Sequence, residues 1–231
     1  YEQSVYLVVD RIYSLGYKPQ DIKKILLSHW HGDHTQGARL LQELAGGKEK
    51  CEIWLSHEDE EMHQKTKENT KPFSVLPYEV TNFYDDSTPI QMGRFTIRTK
   101  LCPGHTLGVT SFFFDDTDEE SGETVHVAMH GGMGTGTMYP GSAMGKSEEV
   151  TPEIAFRFVK DCLEMAEWPV DINMSSHLNQ TNTDENMPED LNDWRWFVAP
   201  YSWHDMLVNR AEDVMEKYPE QYPDFKWTVP N

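Results

Sequence analysis

The chain has 231 residues and a formal net charge of −19, from 39 acidic against 20 basic side chains. Its length is enough for one sizeable domain with its own core, and its acidity repels phosphate backbones, which argues against a nucleic-acid partner. Three scattered cysteines, Cys51, Cys102 and Cys162, make no disulfide framework, and no apolar run approaches the roughly 18 residues of a membrane span.

The sequence starts Tyr1-Glu2-Gln3, without an initiator Met or a signal-peptide layout, so localisation is not legible from it. Val5, Leu7-Val8-Val9, Ile12 and Leu15 recur at helical spacing, and Gly16 stops that first helix. Residues 22–28 read as a buried strand around Ile25, Leu26 and Leu27, with a histidine-rich loop at its C-terminal end. A second helix is expected from about Gln36 through Leu40, Leu41 and Leu44 to Gly46-Gly47. Residues 51–55 read as a strand, 57–67 as a polar helix and 66–77 as a loop.

Residues 90–101 have the pattern of a hairpin turning at Gly93, followed by Pro103-Gly104-His105-Thr106. Strands are expected at 111–114 and 124–129, joined by an acidic turn over 115–123. The glycine-rich stretch 130–145 has no helix signal. Thr151-Pro152-Glu153 caps a helix reaching Trp168. Residues 171–176 read as the last strand, ending at His177; 180–193 read as polar loop and 203–218 as a terminal helix. Strands followed by helices, interrupted by hairpins, predict a single α/β domain over residues 1–231 with mixed sheets flanked by helices.

Three of the ten histidines, His29, His31 and His34, fall within six residues beside Asp33. His29 and His31 lie two apart past a strand end, so both rings can face one side, and Gly32 lets the backbone turn to aim Asp33 and His34. Imidazole and carboxylate are the ligands of zinc sites that keep a position open for water, and two such sites roughly 3.5–4 Å apart can share one hydroxide. His105 and His177 also sit at strand ends, and ligands at the ends of several strands converge on one sheet edge. His57 and His63 read as solvated, His204 as helical surface, and His130 as an auxiliary candidate beside the glycine-rich turn.

The ordered set His29-x-His31-x-Asp33-His34, Pro103-Gly104-His105-Thr106 and Ser176-His177 resembles the metal motifs of the metallo-β-lactamase superfamily. The resemblance implies the four-layer αββα sandwich of that family. It assigns His29, His31 and His105 to a first zinc and Asp33, His34 and His177 to a second, giving two Zn²⁺ per chain. After the strand that ends at Met129, many relatives carry a bridging aspartate or a cysteine; here His130-Gly131-Gly132 follows. That substitution, with His34 in the first loop, is most similar to the third subclass of metallo-β-lactamases. The family also begins with β-hairpin strands ahead of the first helix, which this sequence lacks. The expectation is an uncovered strand edge and apolar surface, met by a separate N-terminal segment or by a homo-oligomer.

The resemblance implies hydrolysis of a small-molecule substrate, a cyclic amide or related carbonyl, by a metal-bound hydroxide, with Asp33 as ligand and orienting or proton-accepting carboxylate. Trp30, Thr135 and Tyr139 are expected to border the substrate. Two alternatives stand beside it: a lactone or thioester hydrolase of the same superfamily, and a metal-binding protein without β-lactamase turnover. Iron or manganese can occupy related imidazole–carboxylate sites.

Overall fold

The computed structural model describes residues 5–66, 77–139, 149–181, 187 and 193–226. Most of the expected loops 66–77 and 180–193, Lys67 and the end of the glycine-rich stretch lie outside the described residues. The chain divides into two units, Tyr1–Tyr84 and Asp85–Asn231, and each carries one sheet.

In the first unit, α1 (Val5–Ser14) turns Val5, Val9 and Ile12 inward, and Gly16 follows at φ +83, a conformation open to glycine. Its other sides expose Tyr6, Leu7, Val8 and Tyr13. The sheet then forms from β1 (Lys24–Leu26), β2 (Glu52–Leu55) and β3 (Asn82–Phe83), all parallel, with Leu26 opposite Trp54 and Leu55 opposite Phe83. Parallel neighbours need crossovers. The first carries α2 (Gly32–Thr35) and α3 (Ala38–Leu44), and the second carries α4 (His57–Thr66). Leu27, Ala38, Ile53, Leu55 and Tyr78 form the core of this unit.

Two elements here differ from the expectation. β1 is shorter than 22–28, although Leu27 N–H still reaches Trp54 C=O at 3.0 Å. β3 has only two residues, too short for an alternation signal, and exists because Thr81 and Tyr84 bond to the backbone of β2.

The second unit is built on β4 (Ile90–Met92), β5 (Phe95–Leu101), β6 (Thr110–Thr117) and β7 (Thr124–Met129), antiparallel in chain order, with β8 (Ile172–Asn173) parallel to β7. β6 runs through Asp115 and Asp116, where a turn is expected. Cross-strand pairing holds them extended: Asp115 accepts from His126, its register partner, at 2.7 Å, and Asp116 accepts from Arg94 at 2.7 Å. The turn shrinks to Asp118–Glu123, closed by the bond between Asp118 N–H and Glu123 C=O.

Two helices, α5 (Pro152–Ala166) and α6 (Pro200–Gln221), pack together over a core that includes Phe113, Ala128, Phe158, Met165, Trp203, Leu207 and Tyr218. The Thr151 hydroxyl accepts from Ile154 N–H as the N-cap of α5. α6 begins before Trp203, with Pro200 at its first position, where a missing N–H removes no helical bond. β8 is only two residues long, so the last expected strand ends well before His177. Among the described residues, no helix is long and apolar enough to cross a membrane.

Candidate metal centre

In the first unit the chain leaves β1 through Leu27 and enters the histidine loop. Ser28 is buried, and its Oγ lies 3.2 Å from His29 Nδ1 and 3.3 Å from His34 Nδ1. One hydroxyl therefore fixes the Nδ1 side of two imidazoles, so the Nε2 side is the one a metal would meet. The His29 ring centroid lies 4.0 Å from that of His34 and 4.9 Å from that of His31.

The one-turn helix α2 starts immediately after His31. It folds the chain back so that Asp33 and His34 follow on the same loop, with His34 Nε2 3.4 Å from Asp33 Oδ2. Sequence periodicity over four residues shows no such helix; Gly32 at its start is the only local sign. His29 is buried, His31 half-buried and Asp33 exposed.

Side chains outside the motif hold the loop. Trp30 N–H donates to Asp59 Oδ2 at 2.9 Å, and Thr35 Oγ1 donates to His31 C=O at 3.1 Å. The Trp30 ring lies 5.0 Å from the His31 ring. His63 is not solvated as expected: it is 6% exposed, stacked on Tyr78 at 3.9 Å and bonded to Glu60 at 2.9 Å. Its neighbour on the other side of the polar helix, His57, is exposed and lies against Phe83.

The second unit carries His105 and His177. His105 follows β5 in Pro103-Gly104-His105 and is buried. Its Nδ1 lies 2.7 Å from Gly134 C=O, which makes Nδ1 the donor and Nε2 the lone-pair nitrogen. Its own C=O accepts from Thr137 Oγ1 at 2.8 Å. The ring packs so close to the loop that a Cβ at Gly134 would stand 2.8 Å from His105 Nδ1, and one at Gly104 would stand 2.5 Å from Phe158. The glycines around this histidine are thus a packing requirement. His177, by contrast, is exposed on a turn beyond β8, with its N–H bonded to Ser175 Oγ at 3.2 Å.

Thr135 and Tyr139 sit on the loop that supports His105. The Thr135 hydroxyl is buried and donates to Asp213 Oδ2 at 2.6 Å, while Lys217 pairs with the same Asp213 and lies 5.6 Å from the Tyr139 ring centroid. Burial acts to raise the Asp213 pKa, but the bonds from Lys217 and Thr135 outweigh it and hold the carboxyl below its usual range.

His130 directly follows β7 and is 2% exposed, with Nδ1 accepting from Gly132 N–H at 3.2 Å. Burial, helped by the nearby His105, pushes its pKa down to about 3, so the ring is neutral at ordinary pH. It joins neither of the donor groups suited to a metal among the described residues. His130 therefore belongs to the core, edge-on to Phe158, rather than to the auxiliary role the sequence suggested.

The family model described as the metallo-β-lactamase superfamily matches residues 2–145. The chain belongs to that superfamily, and the class so defined is a metal-dependent hydrolase. Solved structures carry the same fold along nearly the whole chain. A subclass B3 metallo-β-lactamase of Bradyrhizobium japonicum, BJP-1, is 18% identical with a TM-score of 0.77, covering 97% of this chain and 83% of that one. Native FEZ-1 metallo-β-lactamase from Legionella gormanii is 22% identical with a TM-score of 0.76, over 95% of this chain and 83% of that one. A β-lactamase from Chitinophaga pinensis is 20% identical with a TM-score of 0.73, over 91% and 78%. No curated protein matches the chain. The metallo-β-lactamase fold, and within it a likeness to a B3 enzyme, is what the motifs led the sequence reading to expect.

Ser28, Asp59, Gly134 and Asp213 support the site without a supporting role being expected of them. Ser28 entered as the end of the strand before the histidine loop, and Gly134 as part of the glycine-rich stretch.

Proposed function

We propose that the chain is a two-zinc hydrolase that opens a cyclic amide of the β-lactam kind. In this reading His29, His31 and His105 hold one zinc, and Asp33, His34 and His177 hold the other. The observation that carries it is the first-unit loop, where three imidazoles and a carboxylate are gathered and two of the rings are oriented by Ser28 Oγ. Further support comes from the donor chemistry: among the described residues, one all-histidine group and one mixed carboxylate–histidine group are suited to a metal. The Nδ1 bond from His105 to Gly134 C=O also presents the correct nitrogen for ligation.

Bound zinc would supply a water acidified toward a pKa of about 7 and a Lewis acid for the substrate carbonyl. The chain's own residues do the rest. Asp33 Oδ2, exposed beside His34 Nε2, would orient the attacking water and take up its proton. Ser28 and Gly134 lock ring orientations, so little reorganisation is needed as charge develops. The end of β7 offers a neutral imidazole instead of a bridging acid, in keeping with the B3-like arrangement. Trp30 and Tyr139 are proposed to border the substrate. The Thr135 hydroxyl, committed to Asp213, serves the loop instead.

The test is hydrolysis of a chromogenic cephalosporin with and without a chelator, together with elemental analysis. Two zinc ions per chain and chelator-sensitive turnover are expected. Chelator-sensitive hydrolysis of lactones or thioesters alone would overturn the substrate class. Fewer than one metal per chain after zinc loading would overturn the whole reading.

A further inference from the structure

Asp59 is a carboxylate with 0% exposure that the chemistry above does not use. Taking a carboxylate out of water costs several kcal/mol unless it is hydrogen-bonded, so its partner is informative. Asp59 Oδ2 accepts the Trp30 N–H at 2.9 Å, the peptide group that lies between His29 and His31. Its own N–H donates to Ser56 Oγ at 3.2 Å, which seats it in the first turn of α4, where the helix dipole favours a negative charge. The carboxylate therefore leaves its own helix end to Ser56 and reaches a different crossover.

The spacing is built into the sheet. α4 begins directly after β2, the loop begins directly after β1, and β1 and β2 pair in register from Lys24–Glu52 to Leu26–Trp54. The neighbouring acid, Glu60, pairs instead with His63 within the same helix.

We propose that Asp59 is a positioning residue for the metal loop: its carboxylate fixes the Trp30 peptide so that His29 and His31 face one metal. The inference rests on the two-zinc reading, and one titration separates the two. Wild-type protein titrated with Co²⁺ should take up two ions; failure at that step overturns the two-zinc reading itself.

Given wild-type uptake, Asp59→Ala should bind cobalt about 10- to 100-fold more weakly at the His29–His31 site, the size usual for lost ligand support. Its ligand-field absorption bands should shift. Asp59→Asn retains an acceptor oxygen for the Trp30 N–H and should recover most of the affinity and the wild-type bands. A purely structural role would lower the melting temperature and leave the bands of the folded protein where they were. That result, or an unchanged affinity in folded Asp59→Ala, overturns the proposal. Should Asp59→Ala fail to fold, Asp59→Glu decides. Its added methylene presses the acceptor against the Trp30 peptide and should shift the cobalt bands, and unshifted bands overturn the proposal.

Discussion

His105 and His177 face the same proposed task from opposite physical states. His105 is buried, bonded at Nδ1 to a backbone carbonyl and wedged against glycines. His177 is exposed on a short turn, where its N–H donates to Ser175 Oγ. A ligand already held in place has little rotamer freedom left to lose, whereas ordering an exposed side chain costs about 0.5–1.5 kcal/mol. One proposed zinc site thus draws on a ligand already held in place, and the other on an exposed one.

Removing His105 should break that contrast most severely. His105→Ala is expected to lose about 10²–10³-fold in kcat/KM, comparable to deleting one charge-stabilising group. Metal titration should show His177→Ala retaining up to about tenfold more affinity at its own site than His105→Ala retains at its site. Equal losses would mean that the pre-formed ring gives no advantage.

Gly104→Ala tests the packing that holds His105. The new Cβ would approach Phe158 at 2.5 Å and Met138 at 2.7 Å, both in the core. Overpacking of that kind costs about 1–3 kcal/mol, readable as a lower melting temperature. A variant as stable as wild type would show that the α5 side of this loop can yield.

Acid titration of metal-free wild-type and His130→Phe protein sharpens the comparison, because their difference reports His130. Its folded pKa of about 3 lies below the ordinary value of 6.5. The unfolded chain therefore takes up a proton that the folded chain refuses as pH falls below 6.5. Stability from this group is fully present above about 6.5 and falls by up to about 1.4 kcal/mol per pH unit until the folded pKa is reached. His130→Phe should flatten that part of the stability profile, and an unchanged slope would reassign the acid sensitivity elsewhere.

The smallest effect is expected at the substrate border. Trp30→Ala keeps the backbone N–H that Asp59 holds and removes only the indole. KM should rise about five- to tenfold, with kcat and metal content little changed, the pattern of a lost ground-state contact worth about 1 kcal/mol.

The candidate ligands were legible because their spacing is local: His29 to His34 share one loop, and His105 is flagged by Pro103-Gly104. What held them in place was not. Asp59 lies 29 residues from Trp30, and only the β1–β2 register brings the two together. His63 looks like a surface residue on a polar helix until Tyr78, 15 residues further along the same crossover, covers it. The extension of β6 through Asp115 and Asp116 likewise depends on His126 and Arg94 across the sheet, while the turn composition of 115–123 points the other way. Helices with a clear apolar period, such as α1 and α5, needed no such partners to be recognised.

The parallel pairing of β1 with β2 also has a kinetic side. Four of the proposed ligands lie inside the crossover that joins these strands, while the β5–β6–β7 meander closes through short local turns. Local antiparallel pairs form on the microsecond scale, and pairings separated by a longer loop must first meet its closure entropy. The proposed metal loop therefore acquires its shape only when a non-local contact is made, and metal that favours that shape would stabilise it. Each tenfold rise in free metal above the dissociation constant would then add about 1.4 kcal/mol to the closed state. For this loop, metal supply during folding and stability afterwards are one linked quantity.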